Sequence, residues 1–509
     1  MERNLKKILF LGIAVLFGVG LRVFAEWVYQ LVFNAYDFTT ITGVLVRLSF
    51  AVIFVVVWLA ITFRIEEPRN KLPWLLFLLI DPILGMTLFL SLGRSFRMSV
   101  RSRKRNLKEA GFYGDLKAAD EKMVSNISEQ YARPLDMASR QNRLPIYQDA
   151  TDVKIILNGE NFFPELFDKI KKAKRSIWVE VYILRYDETG KRFLNLLEDK
   201  AQEGLDVKLL IDGLGSAGFI AFHLKKLKKC HFEWHINDRV FFPLFNTRIT
   251  YRNHRKIFII DGQEAYLGGM NIGDEYDNSI PYYTTFKDTM VYLNGLSVEA
   301  VQSIYAKDYY YITGQSLRIL ESPKKVFKNS LVQIVESGPD QLSPDIHDLY
   351  QGLMARAKSS IKIMTPYLAL DDEILSAIRI AIKEGVRVDV IVPGVPDKYL
   401  VYMVTKYYMG ILLEMGAHVH VYEKGFLHAK TLIIDDTLAS IGSYNLDNRS
   451  ARIDFEITAL CIHDDVKTLV DDFNQTIQES KTLSKNTYLK RSIIVRFIEH
   501  TLSLFSSLV

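Results

Sequence analysis

The sequence predicts an α/β fold of two homologous domains, with mixed sheets flanked by helices, preceded by N-terminal membrane helices. Three observations predict this fold. One short motif occurs twice, β-type and helical patterns alternate around each copy, and long apolar segments fill the N-terminal part of the chain. A length of 509 residues also exceeds what one hydrophobic core normally serves, so more than one domain is expected.

The N-terminal region, residues 1–108, is predicted to anchor the chain in a membrane. Helices over about residues 8–30 and 41–63 approach the ~20 apolar residues that a membrane span requires. Lysine and arginine flank this pair on both outer sides and are missing from the connection, which predicts a multi-pass protein of the cell membrane with a cytoplasmic N-terminus and cytoplasmic domains. A cleaved signal peptide is the alternative for the first helix.

A third apolar segment, residues 73–92, is predicted to be re-entrant. Asp81 is costly in the middle of a bilayer, and Pro82 disfavours helical geometry at that point. A hairpin bent at this pair keeps both basic flanks on the cytoplasmic side, whereas a true third helix would place the following domains outside. The basic run 94–108 is either a juxtamembrane patch for anionic lipid or a solvated linker.

The rest of the chain is predicted to comprise a connector at 109–150, a first domain at 151–325 and a second domain at 326–483. In both domains a β-type run leads to a helical stretch that ends in Glu-Gly, and a second β-rich run follows. Strands that alternate with helices indicate a mixed or parallel sheet covered by helices. The two cysteines lack metal-ligand spacing, and the net charge of +5 indicates no class of partner by itself.

Two apolar stretches leave alternatives open. The C-terminal segment 484–509 has an apolar stripe at helical spacing beside basic residues, which predicts an amphipathic helix. It either packs against the protein body or lies on a membrane surface. The run Phe241-Phe242-Pro243-Leu244-Phe245 is either ordinary core or a loop that dips into lipid.

The repeated motif carries the candidate chemistry. In each copy a histidine is followed by a lysine two positions later and by an aspartate farther on, with the same gaps in both copies. A Gly-x-x-Asn string then follows each aspartate at a matched distance. The predicted catalytic residues are His254, Lys256, Asp261, His428, Lys430 and Asp435, and the two asparagines are Asn271 and Asn445.

Two histidines and two lysines suit phosphoryl transfer through a covalent intermediate. One imidazole attacks phosphorus, while the other protonates the leaving oxygen and later deprotonates the acceptor. The lysines stabilise charge on the non-bridging oxygens, and the asparagines either donate to the same oxygens or serve as turn residues.

The composition of the motif predicts a strand, on which His254 and Lys256 share a face. Asp261 and Asp435 are then expected to fix the strand end or a basic partner. No cofactor and no catalytic metal are predicted, because the motifs lack the clustered carboxylates of a two-metal site.

The paired motifs resemble those of the phospholipase D superfamily, and longer strings around them resemble the bacterial cardiolipin synthases. The strings are residues 251–256, 268–276, 425–430 and 442–450, together with Thr365-Pro366-Tyr367 and Val392-Pro393-Gly394. The resemblance covers the chain from about residue 150 to its end, and the apolar N-terminal segments fit it as well.

The resemblance implies two phospholipase D-like domains that are related by a pseudo-twofold axis and share one site. It implies that His254 is the nucleophile and His428 the acid and base, and that Asp288 and Glu456 orient the histidines. The implied reaction joins two phosphatidylglycerol molecules into cardiolipin and releases glycerol. Phosphatidylglycerol and anionic membrane lipid are the implied partners, and the oligomeric state stays open.

The sequence leaves the acceptor alcohol open. Around residues 289–295, 367–371 and 396–398 the chain departs from the pattern of the resemblance, which bears on headgroup selectivity. A phospholipase D that uses water, or a phosphatidylserine synthase that uses serine, is the alternative enzyme. No nucleic-acid partner is expected, because the apolar N-terminal segments disfavour a nuclease. An inactive membrane scaffold is disfavoured by two intact motifs.

Overall fold

The computed structural model describes residues 41–63, 68–92, 128–238, 251–279, 284–323, 325–341, 343–504 and 506. The predicted helix over residues 8–30, the basic run 94–108 and the aromatic run 241–245 lie outside the described residues. The chain divides into two compact units, the first made of Met1–Ser95 and Phe242–Thr247 and the second of Phe96–Phe241 and Arg248–Val509.

Within the described residues the first unit contains three helices, and the chain reverses between the second and third. The helices are α1 (Ile41–Thr62), α2 (Pro68–Ile80) and α3 (Pro82–Leu92). Asp81 ends α2 by donating its backbone N–H to Phe77 O at 3.0 Å, and its Oδ1 atom caps α3 by accepting from the Leu84 N–H at 3.0 Å. The Trp74 and Phe89 rings, on opposite sides of this turn, lie 5.6 Å apart. The chain therefore bends at the Asp81-Pro82 pair.

Helix α1 occupies the position of the second predicted span. It exposes valine and leucine side chains, among them Leu48 and Val56, whereas Ile61 is buried against the hairpin. No helix within the described residues is long and apolar enough to cross a membrane.

Within the described residues the second unit contains two large sheets, which follow one another along the chain, and one two-stranded sheet. The strands up to residue 295 are β1 (Ile146–Gln148), β2 (Thr151–Leu157), β3 (Ser176–Val181), β4 (Asp206–Asp212), β5 (Glu233–Asn237), β6 (Ile257–Ile260), β7 (Glu264–Gly268), β8 (Phe286–Lys287) and β9 (Thr289–Gly295). The later strands are β10 (Leu331–Ser337), β11 (Ser360–Met364), β12 (Arg387–Pro393), β13 (His418–Tyr422), β14 (Phe426–Leu427), β15 (Thr431–Ile434), β16 (Leu438–Gly442), β17 (Glu456–Ile462) and β18 (Ser480–Thr482).

The helices of the second unit connect and cover these strands. They are α4 (Glu129–Asn142), α5 (Gly159–Lys172), α6 (Glu188–Gln202), α7 (Ala217–Leu227), α8 (Ser297–Thr313), α9 (Asp345–Met354), α10 (Asp372–Lys383), α11 (Tyr399–Met415), α12 (Asn448–Arg452), α13 (Val466–Gln478), α14 (Lys485–Leu489) and α15 (Ile493–Ser503). Aspartate caps start three of them: Asp187 accepts from Gly190 N–H, Asp371 from Ile374 N–H and Asp447 from Ser450 N–H, which satisfies free donors at each helix start.

The two domains repeat one sheet topology. Among the described residues, the first domain has a seven-stranded sheet in the order β2-β9-β7-β6-β3-β4-β5, and the second repeats this as β10-β17-β16-β15-β11-β12-β13 with β1 and β18 added at the edges. In both sheets the last three strands of the order are parallel and the others antiparallel. The predicted α/β fold with mixed sheets is therefore present in both halves.

A single apolar core lies between the two sheets. Ile257 and Ile259 of β6 point into it, together with Ile433 of β15. Phe258, which alternates with the first two, belongs instead to a core under the helices of the first domain. This alternation is the period of a strand that is buried on both faces, and it explains why the motif strands are apolar throughout.

The C-terminal part of the predicted connector joins the second domain. Strand β1 pairs with β10, and α4 packs its Tyr131 and Leu135 side chains into the outer core of that domain. Gln130 Nε2 donates to Asp435 Oδ2 at 2.5 Å. The segment before the first domain thus completes the second one, which the composition of residues 109–150 does not predict.

Candidate active site

Each histidine motif enters the site by pairing with the other domain. Strand β14, directly before His428, runs parallel to β8, and the His428 N–H donates to Lys287 O at 2.7 Å. In the other half, Asn253 forms a bridge with Phe455, and the His254 N–H donates to Phe455 O at 2.9 Å. Both histidines are therefore held in the interface between the domains.

The prediction that His254 and Lys256 lie within a strand is wrong. Regular pairing begins only at Ile257 and, in the second copy, at Thr431. The reason is the pairing with the other domain, which takes up the histidine backbone before its own sheet begins. Each lysine instead folds back, so that Lys256 Nζ donates to His254 O at 2.5 Å and Lys430 Nζ donates to His428 O.

The orienting carboxylates are exchanged between the domains. Glu456 of the second domain contacts His254 Nδ1 of the first, at 3.0 Å through Oε1 and 3.2 Å through Oε2. Asp288 of the first domain contacts His428 Nδ1 of the second at 2.6 Å. The sequence predicts these carboxylates as orienting groups but does not indicate which histidine each one holds. Their exchange means that each His–acid pair needs both domains.

Burial favours the neutral form of both imidazoles in the free protein. Desolvation, with the neighbouring Lys256 cation next, holds the pKa of His254 well below its usual value. Desolvation and the Lys430 cation lower the pKa of His428 to about 4. A neutral imidazole has the free electron pair that a nucleophile or a base needs.

The lysines are also almost completely buried, and their charges act on both histidines. Desolvation lowers the pKa of Lys256 to about 7 and that of Lys430 to about 8, although Glu456 and Asp288 act against it. Each lysine also lowers the pKa of the other domain's histidine. An anion placed here would be attracted by groups that lack full solvation by water.

The Glu456 carboxylate has further partners that the Asp288 carboxylate lacks in the corresponding position. Ser450 Oγ donates to Glu456 Oε1 at 2.7 Å, and Ser443 Oγ donates to Oε2. Gly269 stands where the second copy has Ser443, and a Cβ there would lie 2.1 Å from Asp288 Oδ1. Burial raises the pKa of Glu456 to about 7. The two pairs are therefore alike in geometry but not in chemistry.

Aromatic side chains and an aspartate–arginine ion pair complete the surroundings of the histidines. The Tyr182 ring lies 4.9 Å from the His254 ring, and the Tyr276 ring 5.5 Å from the His428 ring, both edge-on. Asp454, which lies near His254, accepts from Arg449 Nε at 2.9 Å. Sequence reasoning missed these residues and the two serines, although Ser443, Ser450 and Tyr276 stand inside the strings that carry the resemblance.

Asp261 and Asp435 act on the backbone at the far end of each motif strand. Asp261 Oδ1 accepts from the N–H groups of Arg175 at 2.7 Å and Ser176 at 3.1 Å, and Asp435 Oδ1 accepts from Ser359 at 2.7 Å. Both aspartates have positive φ, at 57° and 53°. These contacts agree with the expected role of fixing the strand ends, and a catalytic role for either aspartate stays a prediction.

The two asparagines use their amides within their own loops. Asn271 Oδ1 accepts from the Ile183 N–H at 2.9 Å, and its Nδ2 donates to Tyr276 Oη at 2.9 Å. Asn445 Nδ2 donates to Ser450 Oγ at 3.3 Å. A primary amide has a second N–H, so contact with a phosphate oxygen stays a prediction.

Arg255, between His254 and Lys256 in the chain, joins the two domains next to the site. Its side chain is fully buried and donates to Asp308, to Glu336 Oε2 at 2.5 Å and to Glu456 O at 3.1 Å. A buried guanidinium needs such partners, because removing one leaves an uncompensated charge. The patterns in the sequence do not predict this role for Arg255.

One group of metal-ligating residues occurs within the described residues, and it lies apart from the histidine motifs. His347, Asp371 and Glu373 have ligand atoms within 4.8 Å of one another. The His347 Nε2 and Asp371 Oδ2 atoms are 2.6 Å apart, and contacts with Asp348 and Asp371 raise the pKa of His347 to about 9 against the effect of burial. The group fits an ion pair at the start of α10.

The sequence matches the family described as "Cardiolipin synthase, PLD-like domain" over residues 166–277 and 350–479. A cardiolipin synthase of Geobacillus sp. (strain WCH70) is 34% identical over 476 residues, which cover 92% of this chain and 94% of that protein. Cardiolipin synthase 2 of Bacillus anthracis is 36% identical over 452 residues, covering 87% of this chain and 88% of that protein. The chain belongs to the cardiolipin synthase family. Its reaction class is phosphatidyl transfer within the phospholipase D superfamily.

A solved structure supports the fold of this family member. The crystal structure of phosphatidylserine synthase from Haemophilus influenzae Rd KW20 matches with a TM-score of 0.55 at 17% identity, and the match covers 74% of this chain and 100% of that one. At this identity the likeness concerns the fold alone. It agrees with the repeated mixed sheets described above.

Anion binding to the site is expected to weaken as pH rises. Tungstate is the test anion, because it keeps its charge above neutral pH. Lys256 and Lys430, in contrast, lose protons near pH 7 and pH 8 in the free protein. A bound anion favours the charged lysine and raises its pKa, so its affinity should fall by up to about tenfold per pH unit between the free and bound pKa values of each lysine. Calorimetric titration from pH 6 to 9 measures this. Lys256→Arg, which stays charged, should flatten the profile, and an equally steep profile would contradict the assignment.

Proposed function

We propose that the site transfers a phosphatidyl group from one phosphatidylglycerol molecule to another, giving cardiolipin and glycerol. The observation that carries this proposal is the pair of histidines, each held by a carboxylate of the other domain. A buried lysine follows each histidine two positions later. Membership in the cardiolipin synthase family supports the lipid substrate. A pseudo-twofold axis through the site is part of the proposal, and the repeated strand order supports it.

His254 is the proposed nucleophile. Its Nδ1 atom contacts Glu456, which leaves Nε2 to attack phosphorus. The new N–P bond forms as the bond between phosphorus and the glycerol headgroup oxygen breaks. The bound anionic substrate and Asp288 favour the imidazolium form of His428, which donates its proton to the departing oxygen. Glycerol then leaves, and His428 becomes neutral. The phosphatidyl group is then held on His254.

His428 completes the second step as a base. It takes the proton from a headgroup hydroxyl of the second phosphatidylglycerol, whose oxygen attacks phosphorus while the N–P bond breaks. The 2.6 Å contact with Asp288 supports this role, because a close carboxylate stabilises the imidazolium that forms. Lys256 and Lys430 stabilise the non-bridging oxygens in both steps.

The product assay tests this function directly. Purified protein with phosphatidylglycerol alone is expected to form cardiolipin and glycerol in equal amounts, measured by mass spectrometry of lipids and by a glycerol assay. Phosphatidic acid as the main product would mean that water is the acceptor. Phosphatidylserine formed only when serine is added would assign the alternative synthase. Either result contradicts the proposed acceptor and keeps phosphatidyl transfer.

Membrane anchorage with cytoplasmic catalytic domains is also a proposal. The exposed apolar side chains of α1 and the chain reversal at Asp81 support it, because a bent segment returns the chain to the side from which it entered.

Thiol labelling tests the topology. Thr40→Cys and Ser95→Cys are introduced singly into a variant that lacks Cys230 and Cys461. In intact cells an impermeant thiol reagent is expected to label position 40 and to spare position 95, while both react after lysis. Labelling of position 95 in intact cells would mean that residues 73–92 cross the membrane.

A further inference from the structure

The C-terminal helix α15 exposes one apolar face while its other face is fixed to α11. Phe497 is 71% exposed and Ile494 67% exposed, and the remaining exposed apolar side chains of this face are Ile493, Ile498 and Leu504. Exposed rings and branched side chains at adjoining helical positions form a continuous stripe, which a soluble surface rarely presents. We call Ile493, Ile494, Phe497, Ile498 and Leu504 the outer apolar face.

The contacts of the opposite face show that α15 is packed against the protein body. Glu499 is 1% exposed, and both of its oxygens accept from Arg491 Nη1 at 2.7 Å. The His500 and Tyr407 rings lie 4.9 Å apart, and Tyr408 Oη donates to Ser506 Oγ at 3.2 Å. The exposure of the outer apolar face is therefore a property of the docked helix.

The charge around this face has one sign. Between residues 484 and 504 the acidic residue Glu499 is buried and paired, whereas Lys485, Lys490 and Arg496 are exposed. Basic side chains beside an apolar helix face match an anionic bilayer, where the apolar groups enter the interface and the cations meet the headgroups. A second copy of this chain would instead bring like charges together.

The end of this segment is tied to the catalytic centre. Asn448 Nδ2 donates to Ser506 O at 3.1 Å, and Asn448 begins the short helix α12. Ser450 in the same helix donates to Glu456, the carboxylate that holds His254. A bilayer that contacts the outer apolar face would thus lie on an element joined to the site.

We propose that the outer apolar face docks on the surface of an anionic bilayer and holds the catalytic domains against the membrane that contains their substrate. This inference rests on the proposed lipid function and adds a contact separate from the N-terminal helices. Phosphatidylglycerol is both anionic and the proposed substrate, so a bilayer that contains it meets the charge requirement.

Lipid quenching of a probe on this face tests the docking. The full-length Cys230→Ser protein is reconstituted in vesicles of phosphatidylcholine with or without phosphatidylglycerol, and a polarity-sensitive fluorophore is attached to Ile494→Cys or Phe497→Cys. Cys461 is fully buried. Ile380→Cys on α10, which replaces an apolar residue of 46% exposure, is the matched control. Lipids with quenchers in their acyl chains are expected to quench the probes at 494 and 497 in the anionic vesicles and to leave the control unchanged.

Three results would overturn the docking. They are quenching at 494 and 497 no stronger than at 380, equal quenching without phosphatidylglycerol, and a blue-shifted probe that lipid quenchers do not reach, which would mean that protein covers the face. Cardiolipin formation is measured in the same vesicles. Product without quenching rejects the docking and keeps the proposed function, whereas quenching without product keeps the docking and rejects the function.

Discussion

Alanine at His254 or His428 is expected to lower phosphatidyl transfer by about 10³- to 10⁶-fold without unfolding the protein. Each histidine performs a step that the other cannot replace, and residues that act as a unit lose most of the rate on the first substitution. The double variant should therefore be little slower than either single variant. Turnover with phosphatidylglycerol and a thermal melting curve measure both properties.

A matched histidine control is available within the same chain. His418 is exposed at the start of β13, and His418→Ala should retain turnover. Substantial turnover in His254→Ala or His428→Ala, with the fold intact, would exclude the shared site. Denaturing quench of His428→Ala with phosphate-labelled lipid should leave label on His254, because the base for the second step is missing. Label found on His428 in the converse variant alone would reverse the two roles.

Exchanging the orienting carboxylates for amides should affect the histidine of the opposite domain. Asp288→Asn is expected to lower turnover by about 10²- to 10⁴-fold, because the amide cannot stabilise an imidazolium on His428. Glu456→Gln should cost less. The pKa of Glu456 is already raised to about 7, so the neutral side chain resembles a form that the native protein populates.

Nitrogen NMR of the histidine rings separates this arrangement from pairing within one domain. Asp288→Asn should shift the His428 resonances and leave those of His254 nearly unchanged, and Glu456→Gln should do the reverse. Asp261→Asn is the matched control, since Asp261 binds the backbone amides of Arg175 and Ser176 and should affect stability more than turnover. A shift at His254 upon Asp288→Asn would contradict the exchange of carboxylates.

The sequence predicts which residues belong to this site better than it predicts the contacts between them. The duplicated motif identifies His254 and His428, and the apolar runs predict the sheets, because both are local patterns of side-chain type and period. Which carboxylate meets which histidine depends on contacts between residues that are distant in the chain, and a pattern within one half carries no information on them. The extended entry of His254 and the position of Arg255 follow from the same contacts between domains.

Tertiary context also explains the connector and the C-terminal segment. Strand β1 reads as a short apolar piece of the connector, yet β10 of the second domain has a free edge that it covers. Periodicity predicts α15 correctly as amphipathic, but it cannot show that Glu499 and Leu502 face the protein body while Ile494 and Phe497 are exposed.

Because of the exchange of carboxylates, each domain depends on the other for its histidine–acid pair, and the sequences of the two domains cannot change independently at these positions. A substitution at Asp288 in the first domain is selected through its effect on the second domain, and the same holds for Glu456 in the opposite direction. Separation of the domains by even a small rotation would remove both carboxylates at once. Catalytic competence therefore reports whether the two halves are joined, and a chain that has folded only one half is inactive instead of releasing a half-finished reaction.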